Sequence, residues 1–394
     1  MTRIAFHYLG TARQAPEGLA VPTVIGPILD AIAERADGLD VIAYDGGGDA
    51  TAGFELTHVM HHPKVRFVSL GPMGTWRTTA SRRRHVASVM DRASREFDVL
   101  MLWLSNRRVT EVLGANHCPR VVSIDGNCER LELRTTPMPL ARKLRRLPTV
   151  LLAEHRSRQA GARSGLVVVN SNLIASRYAG RNLKIIRWTT HRDDQSFRTQ
   201  DRLTTTANFL FAGRIASYKG AFEALEAFAE IKRSVRPDAH LDVAGDGPDL
   251  DAMRVRAREL GVEEAVTFHG FVPGEVLAGL YRGADVLLHP SFAESFPRVI
   301  LEALAHSVLV VCTPVGGVGE QFHDGDEVLF ATPRSSGEIV DAVRRLANDA
   351  SLRARLLARG FDAGADGSAD AFAARTLAAV GETWPELASV GEAR

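Results

Sequence analysis

The sequence predicts an α/β fold built from two Rossmann-like, doubly wound domains. Short apolar runs, typical of buried parallel strands, alternate with longer amphipathic helical patterns along the whole chain. A polar stretch without a sustained apolar period, residues 188–206, separates two such series. The length of 394 residues allows two domains of ordinary size, each with its own core.

The composition is that of an ordinary globular protein and excludes several classes of partner. Apolar residues make up 45% and charged residues 24%, and the formal net charge of +1 predicts no nucleic-acid partner. The three cysteines, Cys118, Cys128 and Cys312, are too few and too scattered for a disulfide framework or a zinc site. We therefore expect a protein of the reducing cytoplasm, without a signal peptide or a membrane span.

The first domain is expected to cover residues 1–195. Its predicted strands are residues 4–7, 39–44, 65–69, 98–104, 119–124 and 165–169. Its predicted helices are residues 23–35, 79–96 and 140–158, and residues 10–22 are expected to form a loop. The alternation predicts a parallel sheet with helices on both faces.

The second domain is expected to cover residues 196–369. Its predicted strands are residues 208–212, 241–244, 266–269, 286–289 and 308–311, and its predicted helices begin near Gly220 and cover 336–348 and 350–359. After an expected break at 360–369, a helix over 370–383 closes the chain, and the segment 370–394 is expected to pack back onto the first domain. Ligands of such sheets bind at the carboxyl ends of the strands, so a cleft is expected there.

The stretch from Glu294 to Glu302 carries the clearest chemical pattern. A buried strand ends before it, Pro297 suits the first turn of a helix, and the apolar run after Pro297 continues as that helix. One carboxylate thus lies in the loop and the other inside the helix, with free backbone N–H groups between them. Those N–H groups suit a diphosphate, whereas the carboxylates suit hydroxyl groups. Together they point to a sugar nucleotide.

This Glu-x7-Glu pattern, with Phe296-Pro297 after the first Glu and Glu302-Ala303-Leu304-Ala305 at the second, resembles the retaining GT-B glycosyltransferases of the family-four group, also called group 1. The Gly213-Arg214…Lys219-Gly220 element upstream is similar to the same group. The resemblance covers about residues 208–360. It implies two domains facing each other across a cleft, and transfer of a sugar from a nucleoside diphosphate sugar to an acceptor hydroxyl with retention of configuration. It also implies no cofactor and no metal.

The resemblance assigns roles to particular residues. It implies catalytic roles for Arg214, Lys219 and Glu294. The two cations are implied to bind the diphosphate, and Glu294 is implied to hold the sugar hydroxyls. Glu302 is implied to hold the ribose hydroxyls. The implied donor-binding residues are Gly213, Gly245, Phe271, Ser295, Phe296, Pro297 and Glu302.

The amino half resembles the group less closely. Asp125, at the end of a predicted strand, is a candidate polar residue of the cleft, although a plain strand-ending Asp is an equal alternative. His191 is interpreted as a solvated linker residue. Where the group usually has Gly and Pro, this chain has Ser307 and Leu309, which affects the local turn rather than the carboxylates.

Two basic clusters, residues 82–84 and the group Arg142, Lys143, Arg145 and Arg146, allow two interpretations. Both are solvated helix faces, or they form a surface for a phosphate-bearing acceptor or an anionic membrane. Apolar neighbours of the second cluster, Met138, Leu140, Leu144 and Leu147, would support shallow membrane contact at the inner face of the membrane.

Two other functions fit the same pattern. A nucleotide-sugar epimerase of this fold would consume donor without an acceptor. A non-catalytic protein would bind the sugar nucleotide, as the weaker motifs of the amino half allow, but substitution of Arg214, Lys219 or either Glu would be expected, and all four are present.

Overall fold

The computed structural model describes residues 2–46, 56, 58–72, 80–104, 119–124, 139–178, 182–196, 203, 207–294, 296 and 298–390. These residues form two compact units. The first contains the described residues up to Thr190 together with those from Ala369 onward, and the second runs from His191 to Ser368. Each unit is built on its own sheet with helices on both faces. The predicted fold class, α/β with two Rossmann-like domains, is confirmed.

The sheet of the first unit contains the strands β1 (Arg3–Ala15), β2 (Gly18–Val21), β3 (Gly38–Asp45), β4 (His58–Met60), β5 (Val65–Pro72), β6 (Val99–Leu104), β7 (Arg120–Ile124), β8 (Leu166–Val169) and β9 (Leu183–Ile185). Seven of them are parallel, in the order β5-β3-β1-β6-β7-β8-β9. The order reverses between β1 and β6, as in a Rossmann fold.

The first strand differs from its prediction. It continues to Ala15 rather than ending at His7, and β2 pairs with it as an antiparallel strand where a loop was expected. Strand β4 in turn pairs with β2, also antiparallel. The register of β1 and β3 shifts between His7 and Thr11, which marks a β-bulge, and parallel pairing with β3 resumes at Thr11 and Ala12. Pro16 and Glu17 mark only the tight turn of this hairpin, whereas the sequence pattern suggested a longer loop.

The helices of the first unit are α1 (Gly26–Arg35), α2 (Ala80–Glu96), α3 (Leu140–Ala162) and α4 (Asn172–Ala175). Helix α3 is longer than predicted and keeps Pro148 inside it. One side of the sheet carries an aromatic cluster in which the Trp103 ring lies 4.9 Å from Trp188 and 5.7 Å from Phe372, measured between centroids. Phe372 comes from the last helix of the chain, so that helix completes the core of the first unit.

The sheet of the second unit contains β10 (Asn208–Ala212), β11 (His240–Ala244), β12 (Val266–Gly270), β13 (Val286–His289), β14 (Leu309–Cys312) and β15 (Leu329–Phe330). All six strands are parallel, in the order β12-β11-β10-β13-β14-β15. The remaining helices are α5 (Ala221–Ser234), α6 (Leu250–Glu259), α7 (Gly274–Gly283), α8 (Arg298–Ala305), α9 (Gly317–Gln321), α10 (Ser336–Asn348), α11 (Ala350–Ala365) and α12 (Ala369–Thr383).

The side chains of this second sheet alternate between two cores. On β10, Phe209 and Phe211 pack on one face, whereas Leu210 packs on the other face together with Ile300 and Leu304 of α8. All of these side chains are buried, which explains why the strands read as continuous apolar runs. None of the described helices, in either unit, is long and apolar enough to cross a membrane.

The predicted break at 360–369 is wrong, because α11 continues through Gly360 to Ala365. The glycines are there for packing rather than for a turn. A Cβ on Gly364 would collide with the backbone of Ala305, and a Cβ on Gly360 would lie 2.6 Å from the Leu304 side chain. Their small size lets α11 lie directly against α8, which offsets the low helix propensity of glycine. Helix α8 carries Glu302, so this contact fixes the backbone beneath a predicted site residue.

Candidate functional site

The second sheet changes direction between β10 and β13. Chain order runs outward from β10 through β11 to β12, then starts again at β13 on the other side. The loops after β10 and β13 therefore diverge at the carboxyl edge of adjacent strands, which is where ligands of doubly wound sheets bind. Five of the predicted residues lie in the described parts of these two loops: Gly213, Arg214, Lys219, Glu294 and Phe296.

Lys219 and Glu294 are in direct contact. Lys219 Nζ donates a hydrogen bond of 2.7 Å to Oε1 of Glu294, and His289 Nε2 lies 2.9 Å from the same oxygen. The side chains of Glu294 and His289 are 6% and 4% exposed, whereas Lys219 is 21% exposed. Within the described part of the chain, Oε2 of Glu294 forms no hydrogen bond. The carboxylate is therefore held through one oxygen and can accept hydrogen bonds through the other.

The surroundings of Glu294 keep it ionised. Burial by itself would raise the pKa of this carboxyl, but the Lys219 ammonium and the His289 hydrogen bond outweigh burial and lower the pKa to about 2. His289 must carry its ring proton on Nε2 to donate to the carboxylate. Glu294 is consequently a fixed hydrogen-bond acceptor near neutral pH, and not a proton donor.

The loop that carries Glu294 is held from both sides by glycines. Gly220 lies against the carbonyl of Pro290 and Gly316 against that of Glu294, and a Cβ on either glycine would collide with those oxygens. Both glycines have positive φ, of 72° and 55°. Phe292 N–H also donates to Tyr218 O over 2.8 Å. The position of Glu294 is thus set by close backbone packing between three loops.

Glycines also build the edge formed by β10 and β11. Gly213 N–H donates to Ala244 O and Gly245 N–H donates to Gly270 O, over 2.9 and 2.8 Å. A Cβ on Gly245 would collide with the carbonyl of Gly213, whereas a Cβ on Gly213 would meet no atom within 4 Å. Gly245 therefore has a packing role, and Gly213 presents its backbone to open space.

Glu302 lies on α8, buried, with a partner of its own. Tyr281 O–H donates to Oε2 of Glu302 over 3.2 Å, and the Tyr281 ring stacks on His306 at 5.4 Å between centroids. His306 Nδ1 is 2.8 Å from the Glu302 carbonyl oxygen. Burial and then the Glu302 charge raise the pKa of Tyr281 well above its usual value, so its hydroxyl keeps its proton and can donate.

The remaining predicted residues differ in their exposure to solvent. Arg214 is exposed, and in the described residues it forms no ion pair or hydrogen bond. Phe271 is 68% exposed, whereas the Phe296 side chain packs into the core beside α8. The predicted residues Ser295, Pro297 and Asp125 lie outside the described residues.

The structure corrects the interpretation of His191 and adds two residues, His289 and Tyr281, that contact the carboxylates. His191 is buried and not solvated as expected. His289 and Tyr281, which contact the two carboxylates, were missed by the sequence analysis. The available signal for His289 was a histidine at the end of an otherwise apolar strand, and Tyr281 carried no signal that separates it from a core aromatic residue. Nowhere in the described residues are three or more His, Cys, Asp or Glu side chains arranged to hold a metal ion.

Comparison with known proteins finds similarity over part of the chain. Residues 193–362 match the family described as glycosyl transferases group 1. A D-inositol 3-phosphate glycosyltransferase of Arthrobacter sp. (strain FB24) is 37% identical over 164 residues, which are 39% of this chain and 39% of that protein. An alpha-D-kanosaminyltransferase of Streptomyces kanamyceticus is 33% identical over 147 residues, which are 37% of this chain and 38% of that protein. The chain thus matches less than two fifths of the length of these relatives.

Solved structures share the fold over nearly the whole chain. Sucrose-phosphate synthase from Thermosynechococcus elongatus has a TM-score of 0.72 at 16% identity, covering 99% of this chain and 100% of that one. Anabaena HepE, solved in complex with UDP and glucose, has a TM-score of 0.66 at 18% identity, covering 97% and 100%. The fold is therefore that of GT-B glycosyltransferases, and residues 193–362 match the glycosyl transferases group 1 family.

Proposed function

We propose that this protein is a retaining glycosyltransferase, which moves a sugar from a nucleoside diphosphate sugar to an acceptor hydroxyl in the synthesis of a glycan, glycolipid or glycoside. The observation that carries this proposal is the Lys219–Glu294 pair at the switch point of a group 1 glycosyltransferase domain. A cation and an ionised carboxylate fixed side by side suit a donor that has an anionic diphosphate next to a sugar rich in hydroxyls.

The proposed donor follows from the charges of the site and from the solved neighbours. Anabaena HepE has been crystallised with UDP and with UDP-glucose. In this chain, Lys219 and the exposed Arg214 would bind the diphosphate oxygens, and Gly213 would let them approach its backbone. We infer that these groups replace a metal ion, so that neither a metal nor another cofactor is needed.

The proposed reaction breaks the bond between the anomeric carbon and the diphosphate oxygen. The acceptor oxygen then bonds to the anomeric carbon on the same face, and the acceptor proton passes to the leaving phosphate oxygen. Arg214 and Lys219 would stabilise the negative charge that develops on the diphosphate. Glu294 would orient the sugar by accepting hydrogen bonds from its hydroxyls through Oε2, because Oε1 is occupied by Lys219 and His289.

Glu302 is proposed to hold the ribose hydroxyls of the donor. Its carboxylate is oriented by the Tyr281 hydroxyl, which remains a donor because its pKa is raised. Two ribose hydroxyls would then find a carboxylate whose position is set by α8, itself packed against α11 through Gly360 and Gly364.

The acceptor would bind on the side of the first unit, and we propose that the protein works in the cytoplasm in peripheral contact with an anionic membrane. The free thiol of Cys312 is compatible with a reducing compartment. The basic residues of α3 supply positive charge for an anionic surface or a phosphate-bearing acceptor.

The proposal is tested by incubating the protein with a panel of nucleoside diphosphate sugars and candidate acceptors. Acceptor-dependent release of the nucleoside diphosphate is expected, with a product of the same anomeric configuration as the donor by NMR. Release or isomerisation of the donor without any acceptor would indicate a hydrolase or an epimerase. Tight donor binding without turnover under all conditions would indicate a binding protein instead.

A further inference from the structure

The amino-terminal half of α3 exposes a row of leucines. Leu140, Leu144, Leu147 and Leu151 are 71%, 58%, 42% and 49% exposed, and the adjacent Leu152 is 46% exposed. The spacing of four, three and four residues places the first four on one stripe of the helix. At a rise of about 1.5 Å per residue the stripe is about 17 Å long. An exposed apolar stripe of this length indicates an interaction site.

The other half of α3 behaves as an ordinary helix of the first unit. Val150 and Ala160 are each 1% exposed, and the buried Glu154 accepts a hydrogen bond from Arg158 and lies 3.8 Å from Arg177. Pro148, which lacks the N–H for a helical hydrogen bond, lies inside the exposed stripe, between Leu147 and Leu151. The leucine stripe is thus presented on a helix whose other end is fixed.

The exposed half is also strongly basic. Arg142, Lys143, Arg145 and Arg146 lie among the leucines, and there is no acidic residue from Leu140 to Leu152. In the described structure, the first three of these form no ion pair. Three exposed arginines on helices of the second unit behave differently, since Arg233, Arg254 and Arg344 each pair with an acid one turn away. Three of the four basic side chains among the leucines thus have no acidic partner within the described residues.

The exposed leucines and the basic side chains together indicate which kind of partner binds α3. A second copy of the chain would cover the leucines but would bring two basic stretches together. A nucleic acid would satisfy the charges, but residues 140–152 contain no aromatic side chain on which bases could stack. An anionic bilayer offers an apolar interior for the leucines and phosphate groups for the arginines and the lysine.

We propose that the leucine stripe of α3 inserts into the interface of an anionic membrane, with the helix lying parallel to the surface. This inference rests on the peripheral contact proposed above and names the surface that makes it. The leucines enter the boundary between headgroups and acyl chains, while the basic side chains remain at the level of the phosphates. Binding therefore has a salt-sensitive part from the charges and a salt-resistant part from the leucines.

The test is co-sedimentation of the full chain with vesicles of phosphatidylcholine, with and without phosphatidylglycerol. Pelleting is expected only with the anionic vesicles. Replacing Leu144, Leu147 and Leu151 by Gln should lower the partition coefficient about tenfold or more, and replacing the four basic residues by Gln should remove most of its salt dependence. A matched control replaces Val255 and Val276, exposed aliphatic residues of the second unit, by Gln and should pellet like the wild type.

A second measurement reports insertion directly. Tryptophan at Leu147 should be quenched by brominated lipids in anionic vesicles, whereas tryptophan at Val255 should not. The inference is overturned if the triple leucine variant pellets like the wild type, or if the wild type does not pellet with anionic vesicles. It is also overturned if gel filtration shows a wild-type dimer that this variant converts to a monomer. None of these outcomes depends on sugar transfer, which is measured separately with soluble substrates.

Discussion

The side chains of Lys219 and Glu294, 75 residues apart in the chain, are joined by a hydrogen bond of 2.7 Å. Because the two residues follow adjacent parallel strands, this contact links both sides of the switch point of the second sheet. It places a partly exposed cation against a buried carboxylate. Five expectations follow from this arrangement and from the helices beneath it.

Lys219→Ala should lower turnover by on the order of 10²-fold or more, because the ammonium stabilises charge that develops on the leaving diphosphate. Steady-state kinetics with a saturating acceptor measure the effect. Arg344→Ala, which removes an exposed cation of α10, serves as the control and should change little. Near-normal kcat with only a raised KM for the donor would show that Lys219 merely binds.

Glu302→Ala should weaken donor binding by roughly 2–4 kcal/mol, the cost of losing charge-assisted hydrogen bonds in a closed site. Tyr281→Phe keeps the carboxylate and removes one of its donors, so a smaller loss is expected. Isothermal titration calorimetry with the donor compares the three proteins. Unchanged donor affinity in a folded Glu302→Ala variant would show that Glu302 does not bind the ribose hydroxyls.

The Glu294 carboxylate should make stability depend on acid pH. Its pKa falls on folding from the usual value of 4.5 to about 2, so its stabilising effect is complete above about pH 4.5 and is lost as the pH falls towards 2. The shift corresponds to about 3 kcal/mol. The stability difference between wild type and Glu294→Gln, from urea unfolding, should therefore shrink as the solution is acidified.

Gly364→Ala should destabilise the second unit by about 1–3 kcal/mol, because the new Cβ collides with the backbone of Ala305. The displacement of α8 should also weaken donor binding through Glu302. Gly337→Ala in α10, where a Cβ meets nothing within 4 Å, is the matched control and should stabilise by up to about 1 kcal/mol. Thermal unfolding and donor titration test both variants, and equal behaviour of the two would contradict the packing role.

Ser307→Gly should stabilise the protein by about 0.5–1 kcal/mol. Ser307 ends the turn after α8 with φ of 54°, a left-handed conformation that is costly for a residue with a Cβ. Ser307→Ala retains the Cβ and should give no gain. Denaturant unfolding measures both, and a gain shared by the two variants would point to the hydroxyl rather than the backbone.

The sequence by itself determined the places of the first five strands of the second unit, β10 to β14, and the residue types of its candidate site, whereas β15 was not predicted. Buried parallel strands and amphipathic helices leave a local pattern of apolar residues, and Gly213, Lys219, Glu294 and Glu302 stand at recognisable places in that pattern. A local pattern contains no information about which distant residue contacts it, so His289 and Tyr281 could not be assigned to the two carboxylates.

Only the tertiary structure decided where glycines break a helix and where they allow one. Gly360 and Gly364 suggested a turn, yet α11 continues through them, because their lack of side chains permits contact with α8. Conversely, Pro16 and Glu17 suggested a loop, yet they form the turn of a hairpin whose second strand, β2, pairs with β1 and β4. In both places the free energy that selects the structure comes from packing and hydrogen bonds between segments distant in sequence, which outweigh the local propensities.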